Sequence, residues 1–387
     1  MIRFAYLAED KLYVREAEGA PRLIESTFAQ NAVDRGNRDR QRNAWKAGSP
    51  GEGFARQMMW NARQIDPAAR IVQTTALAAN GVELYYAMNI DSMGGLFVYD
   101  TKEENERRLL HRKDMRLADL CRHADGTLAM SLQMPDGTAN IATLDPGGRG
   151  VRELTEGDSI DQAPFWMPGQ RRRLLFQSAG VGRNRYGHLA GTGPYAIQQL
   201  DLENGELSTV LEEQKSDHLM PKMTADGTLH FIRRPYEPHG GPISPWKLAG
   251  DILLFPYRLA RALLGFGNFF SLMFSGKPLI TAGAPTREPL DRRHLMLFGK
   301  LIDAEKALHD AKEGDAPSLV PSSWELVRRA ADGTEKTLAK SVLAYDLCPD
   351  GGILYTNGSS VFHLEAAGKS QRLCDGTMIE HVAAIGS

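Results

Sequence analysis

Three polar residues carry side chains that could perform acid–base chemistry. Asp161, His218 and His381 each lie near the start of a predicted strand. A carboxylate and two imidazoles can move a proton or bind a metal ion. The sequence contains no His-x-His or His-Glu-x-x-His pair that would indicate a metal site. We therefore treat these residues as weak catalytic candidates, with a structural or channel-lining role as the alternative, and expect neither a metal nor a cofactor.

A second candidate is the glycine-rich segment AGVGRNRYGHLAGTGPY, residues 179–195. It lies between two predicted strands, whereas a phosphate-binding loop joins a strand to a helix, so we do not expect it to bind phosphate. Loops that project from a rigid sheet often carry binding residues. The segment is predicted to be a polar binding loop, with a purely solvated loop as the alternative, and its candidate residues are Arg183, Arg185, Tyr186 and His188.

The most apolar part of the chain is residues 251–274, where five of the 14 Phe occur. Its polar residues recur at helical spacing and form one narrow stripe, which predicts a helix with a wide apolar face. That face could cover the protein's own sheets, lie flat on a membrane surface or pack on another chain. Its candidate partner- or membrane-binding residues are Trp246, Ile252, Phe255, Leu259, Leu263, Phe266, Phe269, Phe270 and Phe274.

A repeating pattern predicts the elements that position these residues. Alternating strands flank a tight turn, often Asn-Gly or Asp-Gly, within residues 77–87, 122–132, 165–178, 223–234 and 347–357. Each unit reads as a four-stranded antiparallel sheet of roughly 45 residues, the size of a propeller blade. We count six blades.

The remaining blade is predicted to be divided between the two ends of the sequence. Residues 2–26 contain three predicted strands, and residues 378–385 contain a single one. Pairing them completes a blade and closes the ring, which removes open sheet edges.

The fourth repeat resembles the TolB-type β-propeller repeat. That pattern runs Leu-Thr, then D-x-x-P-x-W-S-P-D-G, and the residues that match it in order are Leu154, Thr155, Asp161, Pro164, Trp166, Pro168 and Gly169. The Ser and Asp of S-P-D-G are replaced here by Met167 and Gly169, and Gln170 stands where the final Gly would fall. The resemblance implies a six-bladed propeller and no particular activity. Pro164 and Trp166 are expected to seat the first strand of the blade.

The predicted fold is therefore all-β. It is a single domain over residues 1–387, a six-bladed β-propeller closed by the N- and C-terminal strands in one blade, with two helical insertions. The first insertion spans residues 27–67. The second, a helical hairpin within the fifth blade, spans residues 239–320, and its second helix is predicted over residues 290–313.

Composition limits the function classes. The formal net charge is −2, so we expect no nucleic-acid partner. The three Cys are far apart in the sequence and suit a reducing compartment. The start MIRFAYLAEDKLYV alternates like a strand and is not expected to be a signal peptide. We predict a cytoplasmic protein, at a membrane surface if the apolar segment docks there.

Two functions fit these observations. The first is a non-catalytic scaffold that binds a protein partner, while the apolar insertion docks to a membrane surface or another subunit, including a second copy of the chain. The alternative is a propeller enzyme, a hydrolase or lyase, with its site at the channel mouth.

Overall fold

The computed structural model describes residues 2–16, 19–43, 72–90, 93–169, 171–238, 294–297, 300–303 and 317–386. Within these ranges the regular structure is almost entirely β. Most strands belong to four separate four-stranded sheets and one nine-stranded sheet. The nine-stranded sheet divides into two four-stranded antiparallel units and one short extra strand, because a single parallel pair, Ala139–Ile160, joins its halves.

The first unit pairs the last strand with the first three. In sheet order its strands are β27 (Ile379–Ile385), β1 (Arg3–Ala8), β2 (Lys11–Arg15) and β3 (Arg22–Ile24). Leu7 of β1 lies opposite His381 of β27 in an antiparallel ladder. The predicted pairing of residues 378–385 with the N-terminal strands is confirmed.

The next two units follow in chain order. The second contains β4 (Val72–Asn80), β5 (Glu83–Ile90), β6 (Met93–Asp100) and β7 (Asn105–Lys113). The third contains β8 (Arg116–Arg122), β9 (Leu128–Gln133), β10 (Ala139–Leu144) and β11 (Arg152–Glu153).

The last three units complete the set. The fourth contains β12 (Ser159–Trp166), β13 (Arg173–Arg183), β15 (Ala196–Asp201) and β16 (Glu206–Leu211), with the short strand β14 (Leu189–Thr192) on β13. The fifth contains β17 (Ser216–Met223), β18 (Leu229–Pro235), β21 (Glu325–Arg329) and β22 (Glu335–Lys340). The sixth contains β23 (Ala344–Leu347), β24 (Ile353–Thr356), β25 (Ser360–Leu364) and β26 (Ser370–Asp375).

The recurring Asp-Gly turns have one mechanism. The carboxylates of Asp125, Asp226, Asp332 and Asp350 each accept the backbone N–H two residues further on, at 2.9, 3.1, 2.8 and 2.9 Å. Such side-chain contacts replace a backbone turn bond. Gly126, which follows Asp125, has φ 91°, a conformation that costs other residues free energy.

The hydrophobic core lies between neighbouring units. Trp324 of the fifth unit and Tyr345 of the sixth are fully buried in one cluster with Leu326 and Tyr355. Similar clusters join the first unit to the second and the second to the third. Because each sheet buries apolar side chains on its neighbours, the units stabilise one another.

The helix α1 (Thr27–Asn43) lies within the predicted insertion 27–67, and residues 44–67 of that insertion are outside the described residues. Ser26 caps the helix, since its Oγ accepts the Ala29 N–H at 3.2 Å. The Glu106 carboxylate accepts the Thr27 N–H at 2.9 Å, a favourable position for a negative charge. Thus β7 fixes the start of this helix.

The second insertion differs from its prediction where it is described. The apolar residues of segment 246–274 lie outside the described residues. The prediction of a second helix over residues 290–313 is wrong where the structure describes this range. Two strands, β19 (His294–Leu297) and β20 (Lys300–Asp303), pair there in antiparallel orientation. The sequence offers a physical reason, because a glycine at position 299 would cost a helix interior about 1 kcal/mol relative to alanine. The bounds of the insertion stay a prediction.

Candidate functional site

Each unit has one strand, at one end of its strand order, that contacts the same strand of a neighbouring unit. We call these the inner strands: β27, β4, β8, β12, β17 and β23. Contacts join β27 to β4, β4 to β8, β8 to β12, β12 to β17, and β23 to β27. Strands β17 and β23 are joined by the hydroxyl of Tyr345, which donates to the Met220 carbonyl at 2.7 Å. These contacts bring polar side chains of several units together, and we call Asp119, Cys121, Lys222, Asp346 and His381 the inner polar cluster.

An ion pair joins three units in this cluster. Lys222 Nζ of β17 lies 2.5 Å from Asp346 Oδ1 of β23, and the side chains are 18% and 23% exposed. Asp346 Oδ1 also accepts the Leu347 N–H at 3.0 Å, and Oδ2 accepts the Ala384 N–H of β27 at 2.9 Å. The ammonium lies 5.4 Å from the centroid of the Tyr345 ring. Both oxygens of the Asp346 carboxylate therefore accept hydrogen bonds within the protein.

The other members of the cluster have shifted pKa values or a hydrogen-bonded side chain. Burial lowers the pKa of His381, and the positive charge of Lys222 lowers it further, while the charge of Asp119 opposes both. Burial raises the pKa of the Cys121 thiol to about 11. Asp119 Oδ2 accepts the Ala163 N–H of the next unit at 3.1 Å. At neutral pH the imidazole is therefore neutral, and the thiol is protonated.

β-Bulges bend the inner strands at corresponding points. The ladder shifts register in five of the six inner strands, at Thr74/Ala76, Ala118/Leu120, Gln162/Phe165, Leu219/Lys222 and Glu380. Asp119, Ala163 and Met220 have φ of 50°, 51° and 52° there. A bulge re-aims side chains and tolerates proline, which donates no backbone hydrogen bond. Pro164 and Pro221 both lie in such bulges.

The three predicted catalytic residues have different hydrogen-bond and charge partners in the structure. Asp161 is buried, and its Oδ1 accepts a hydrogen bond from Ser178 Oγ at 2.6 Å. His218 is also buried, and its Nε2 lies 3.9 Å from Glu213 Oε2.

The electrostatic surroundings of the two histidines differ as well. Burial lowers the pKa of His218, and the charges that act on it include Glu213 and Arg233. Of the three candidates, only His381 belongs to the inner polar cluster. A catalytic role for Asp161, His218 and His381 stays a prediction.

The predicted polar loop is a β-hairpin that extends the fourth unit. β13 and β14 pair from Val181–Thr192 to Arg183–Leu189. The turn closes through the Asn184 N–H, which donates to the His188 carbonyl at 2.9 Å. Arg183 Nη2 lies 2.7 Å from Asp136 Oδ2, and its Nε lies 2.6 Å from Asp158 Oδ1. Arg183 therefore ties the hairpin to the third unit and to the start of the fourth.

The hairpin tip presents the other loop residues to solvent. Tyr186 is 67% exposed, the most exposed large hydrophobic side chain among the described residues. Arg185 lies over it, 4.6 Å from the ring centroid, and its Nη2 lies 2.5 Å from the Tyr186 hydroxyl. His188 is exposed beside them. Arg183 is the anchor of this loop, and Arg185, Tyr186 and His188 form its surface, which we call the hairpin tip.

Sequence reasoning missed Lys222, Asp346, Asp119 and Cys121. The signal for Lys222 was present, because His218-x-x-Pro221-Lys222 parallels Asp161-x-x-Pro164-Phe165. The remaining three could not be found, since they meet only through contacts between units. The match at Trp166 is borne out as packing: its side chain is buried, and its backbone N–H donates to Cys121 Sγ at 3.4 Å.

Two further features concern ligands and membranes. Among the residues that the structure describes, Cys348, Asp350 and His363 form one group of potential metal ligands, with ligand atoms all within 4.8 Å of one another. No helix in the described part of the chain is long and apolar enough to cross a membrane.

Comparison with known proteins identifies the fold. No protein-family model matches the sequence, and no curated protein matches it. The structure is similar to TolB from Acinetobacter baumannii, with a TM-score of 0.50 and 12% identity over 99% of this chain and 66% of that one. It is also similar to a chain of a nidogen/laminin complex, with a TM-score of 0.52 and 8% identity over 99% of this chain and 98% of that one. The chain therefore has a TolB-like β-propeller fold.

Proposed function

We propose that the chain is a six-bladed β-propeller, closed by the pairing of β27 with β1, and that it serves as a non-catalytic scaffold for a protein partner. Three observations support the ring. Six four-stranded units follow one another, each inner strand has a neighbour in the next unit, and the last strand pairs with the first. A closed ring of such units leaves only short, protected strand edges.

The observation that carries the proposed function is the hairpin tip. Tyrosine and arginine are enriched among the residues that supply most of the binding energy at protein interfaces, and a large tyrosine side chain loses little conformational freedom there. Tyr186 is exposed and stacked against Arg185, on a hairpin that Arg183 holds through two ion pairs. A surface ordered before binding costs less entropy when a partner docks. We infer that the hairpin tip is the partner-binding surface.

The inner polar cluster supports a scaffold over an enzyme. A catalytic acid, base or nucleophile needs a free group with a pKa near the working pH. The Asp346 carboxylate accepts hydrogen bonds from Lys222 and from two backbone N–H groups, and the Asp119 carboxylate accepts one from a third backbone N–H group. The Cys121 thiol has a pKa of about 11. These groups are suited to holding the units together.

The similar nidogen/laminin structure offers a precedent. That structure is of a nidogen/laminin complex, in which two proteins are bound to each other. By analogy of fold alone, a propeller of this kind can present a surface to another protein, and we propose the same for this chain.

A comparison of two surface variants tests this function. The full chain with Arg185→Ala and Tyr186→Ala is compared with Leu207→Ala, which removes another exposed hydrophobic side chain, 57% exposed, from β16 of the same unit. Proteins retained by each immobilised chain from its native cells are quantified, and affinity is then measured with the purified partner. We expect the double variant to bind at least about tenfold more weakly, and the Leu207 variant to bind like the unaltered chain. Equal binding by all three chains would overturn the proposal.

The apolar segment 246–274 is a second candidate surface, proposed from sequence alone. Its wide apolar face supports docking to a membrane surface or another subunit within the cytoplasm. Deletion of residues 244–284 is expected to reduce sedimentation with liposomes or self-association; unchanged behaviour in both assays would count against it.

A further inference from the structure

The sixth unit contains a mixed group of sulfur, nitrogen and oxygen ligands. Cys348 and Asp350 lie in the turn between β23 and β24, and His363 lies on β25. The turn is closed by the Cys348 N–H, which donates to the Gly352 carbonyl at 2.9 Å. Asp350 Oδ1 accepts the Gly352 N–H at 2.9 Å, which leaves Oδ2 to face the imidazole.

The imidazole of His363 lacks a partner where one would be expected. The residue is 9% exposed, and its Nε2 has no hydrogen-bond partner among the described residues. The nearest carboxylate oxygen, Asp350 Oδ2, lies 3.6 Å away, beyond hydrogen-bond distance. A buried polar atom without a partner costs free energy and calls for an explanation.

The corresponding turn of the fifth unit has a side-chain hydrogen bond that the turn of the sixth unit lacks. Thr224 occupies the position of Cys348, and its hydroxyl donates to Asp226 Oδ1 at 2.5 Å. That carboxylate also accepts the Thr228 N–H. In the sixth unit a thiol replaces this hydroxyl. The substitution removes the donor that satisfies the carboxylate and adds a sulfur ligand beside it.

We propose that Cys348, Asp350 and His363 bind a divalent transition metal of the Zn²⁺ class. Zn²⁺ takes thiolate, imidazole and carboxylate ligands in a tetrahedral arrangement, and calcium or magnesium would prefer oxygen alone. The three ligand atoms lie within 4.8 Å of one another, so small side-chain movements bring them to bonding distance of one ion. The ion would give His363 Nε2 the partner it lacks.

The position of the site indicates what the ion does. Cys348 packs in a buried cluster with Phe4, Val361 and Val382, which joins the sixth unit to the first. A metal there would hold the turn between β23 and β24 against β25, beside the unit that contains both β1 and β27. The Asp350 side chain is 53% exposed, so the fourth ligand is water or a group from a partner. The ion would therefore stabilise the sixth unit as a structural metal, with one coordination position open to solvent.

The test uses the full chain after chelation and dialysis. ZnCl2 is titrated by calorimetry, and Co²⁺ is added separately, because a thiolate ligand gives Co²⁺ a charge-transfer absorption band. Cys348→Ser and Asp350→Asn each remove one ligand. Asp350→Asn keeps Oδ1, so it preserves the hydrogen bond from the Gly352 N–H and tests binding without unfolding. The matched controls are Asp226→Asn in the fifth unit and Cys374→Ser in β26.

We expect one Zn²⁺ per chain and a thiolate–Co²⁺ band in the unaltered chain and both controls. Zn²⁺ affinity should fall by more than about tenfold in each ligand variant, and the band should vanish in Cys348→Ser. Zn²⁺ should also raise the melting temperature of the unaltered chain, since a ligand that binds the folded state stabilises it. Absence of the band, or equal Zn²⁺ affinity in Asp350→Asn and Asp226→Asn, would overturn the proposal.

Discussion

The inner polar cluster and the hairpin tip use charged side chains in opposite ways. In the cluster, Lys222 and Asp346 are largely buried and paired with each other across two units. At the hairpin, Arg183 is paired with two carboxylates, while Arg185 and Tyr186 beside it remain in solvent. Charges paired between units hold the fold together, and an exposed group next to a fixed anchor is available to a partner.

The strongest test of this comparison breaks the buried ion pair. Lys222→Met leaves the Asp346 carboxylate without its cation, in a site where both side chains are less than a quarter exposed. We expect the free energy of unfolding to fall by about 2–3 kcal/mol, somewhat less than for a fully buried pair. Urea unfolding at neutral pH measures this loss.

The matched control is an exposed ion pair. Lys340 Nζ lies 3.8 Å from Glu325 Oε1, and the lysine side chain is 67% exposed. Lys340→Met should change the free energy of unfolding by less than about 1 kcal/mol. Equal losses in the two lysine variants would contradict the structural role given to Lys222.

A smaller effect concerns Glu380, the bulge residue of β27. Burial, together with the negative charge of Asp10, raises the pKa of Glu380 from 4.5 to about 7. The folded state therefore holds a proton that the unfolded state loses, so this carboxyl costs stability progressively as the pH rises from 4.5 to about 7. In Glu380→Gln that cost is absent. The stability of the variant relative to the unaltered chain should rise by about 1–3 kcal/mol between about pH 5 and about pH 8.

Urea unfolding at several pH values measures this difference. Glu206→Gln, which replaces an exposed glutamate of β16, controls for the general effect of removing a negative charge. A difference that does not change with pH would show that Glu380 is ionised in the folded chain throughout this range.

The smallest effect is expected at the hairpin anchor. Arg183→Gln removes both ion pairs that tie the hairpin to Asp136 and Asp158. Because these pairs lie at the surface, the melting temperature should stay nearly unchanged. Hydrogen exchange of residues 184–188 should become faster by about tenfold, since the turn opens more readily. Unchanged exchange would mean that the strand pairing of β13 with β14 orders the tip by itself.

Local signals explain what could be predicted. The Asp-Gly turns are visible in sequence because a single carboxylate and a glycine determine each turn without help from distant residues. The pairing of residues 378–385 with the N-terminal strands was predictable, because residues 2–26 contain only three strands of a four-stranded unit and residues 378–385 contain a single strand. The match to D-x-x-P-x-W marked a real bulge at Pro164, although its geometry was not foreseen.

The helix predicted over residues 290–313 is wrong at β19 and β20, also for a local reason. Short apolar runs suit either a helix or a strand, and the glycine at position 299 of the sequence disfavours the helix. The grouping of Asp161, His218 and His381 stays a prediction, for a different reason. Similar positions in the repeat need not place side chains side by side, because each inner strand bends at its own bulge.

The sequence by itself determined the strands, their turns, the repeat and the joining of the two ends, because hydrophobic alternation and turn chemistry act over a few residues. Only the tertiary structure decided which side chains meet. Lys222 and Asp346 are far apart in the chain, as are Asp350 and His363 to a lesser degree, and their contacts depend on how strands pack and bend. Contacts of that kind follow from the packing of whole sheets, so no local pattern of residues records them.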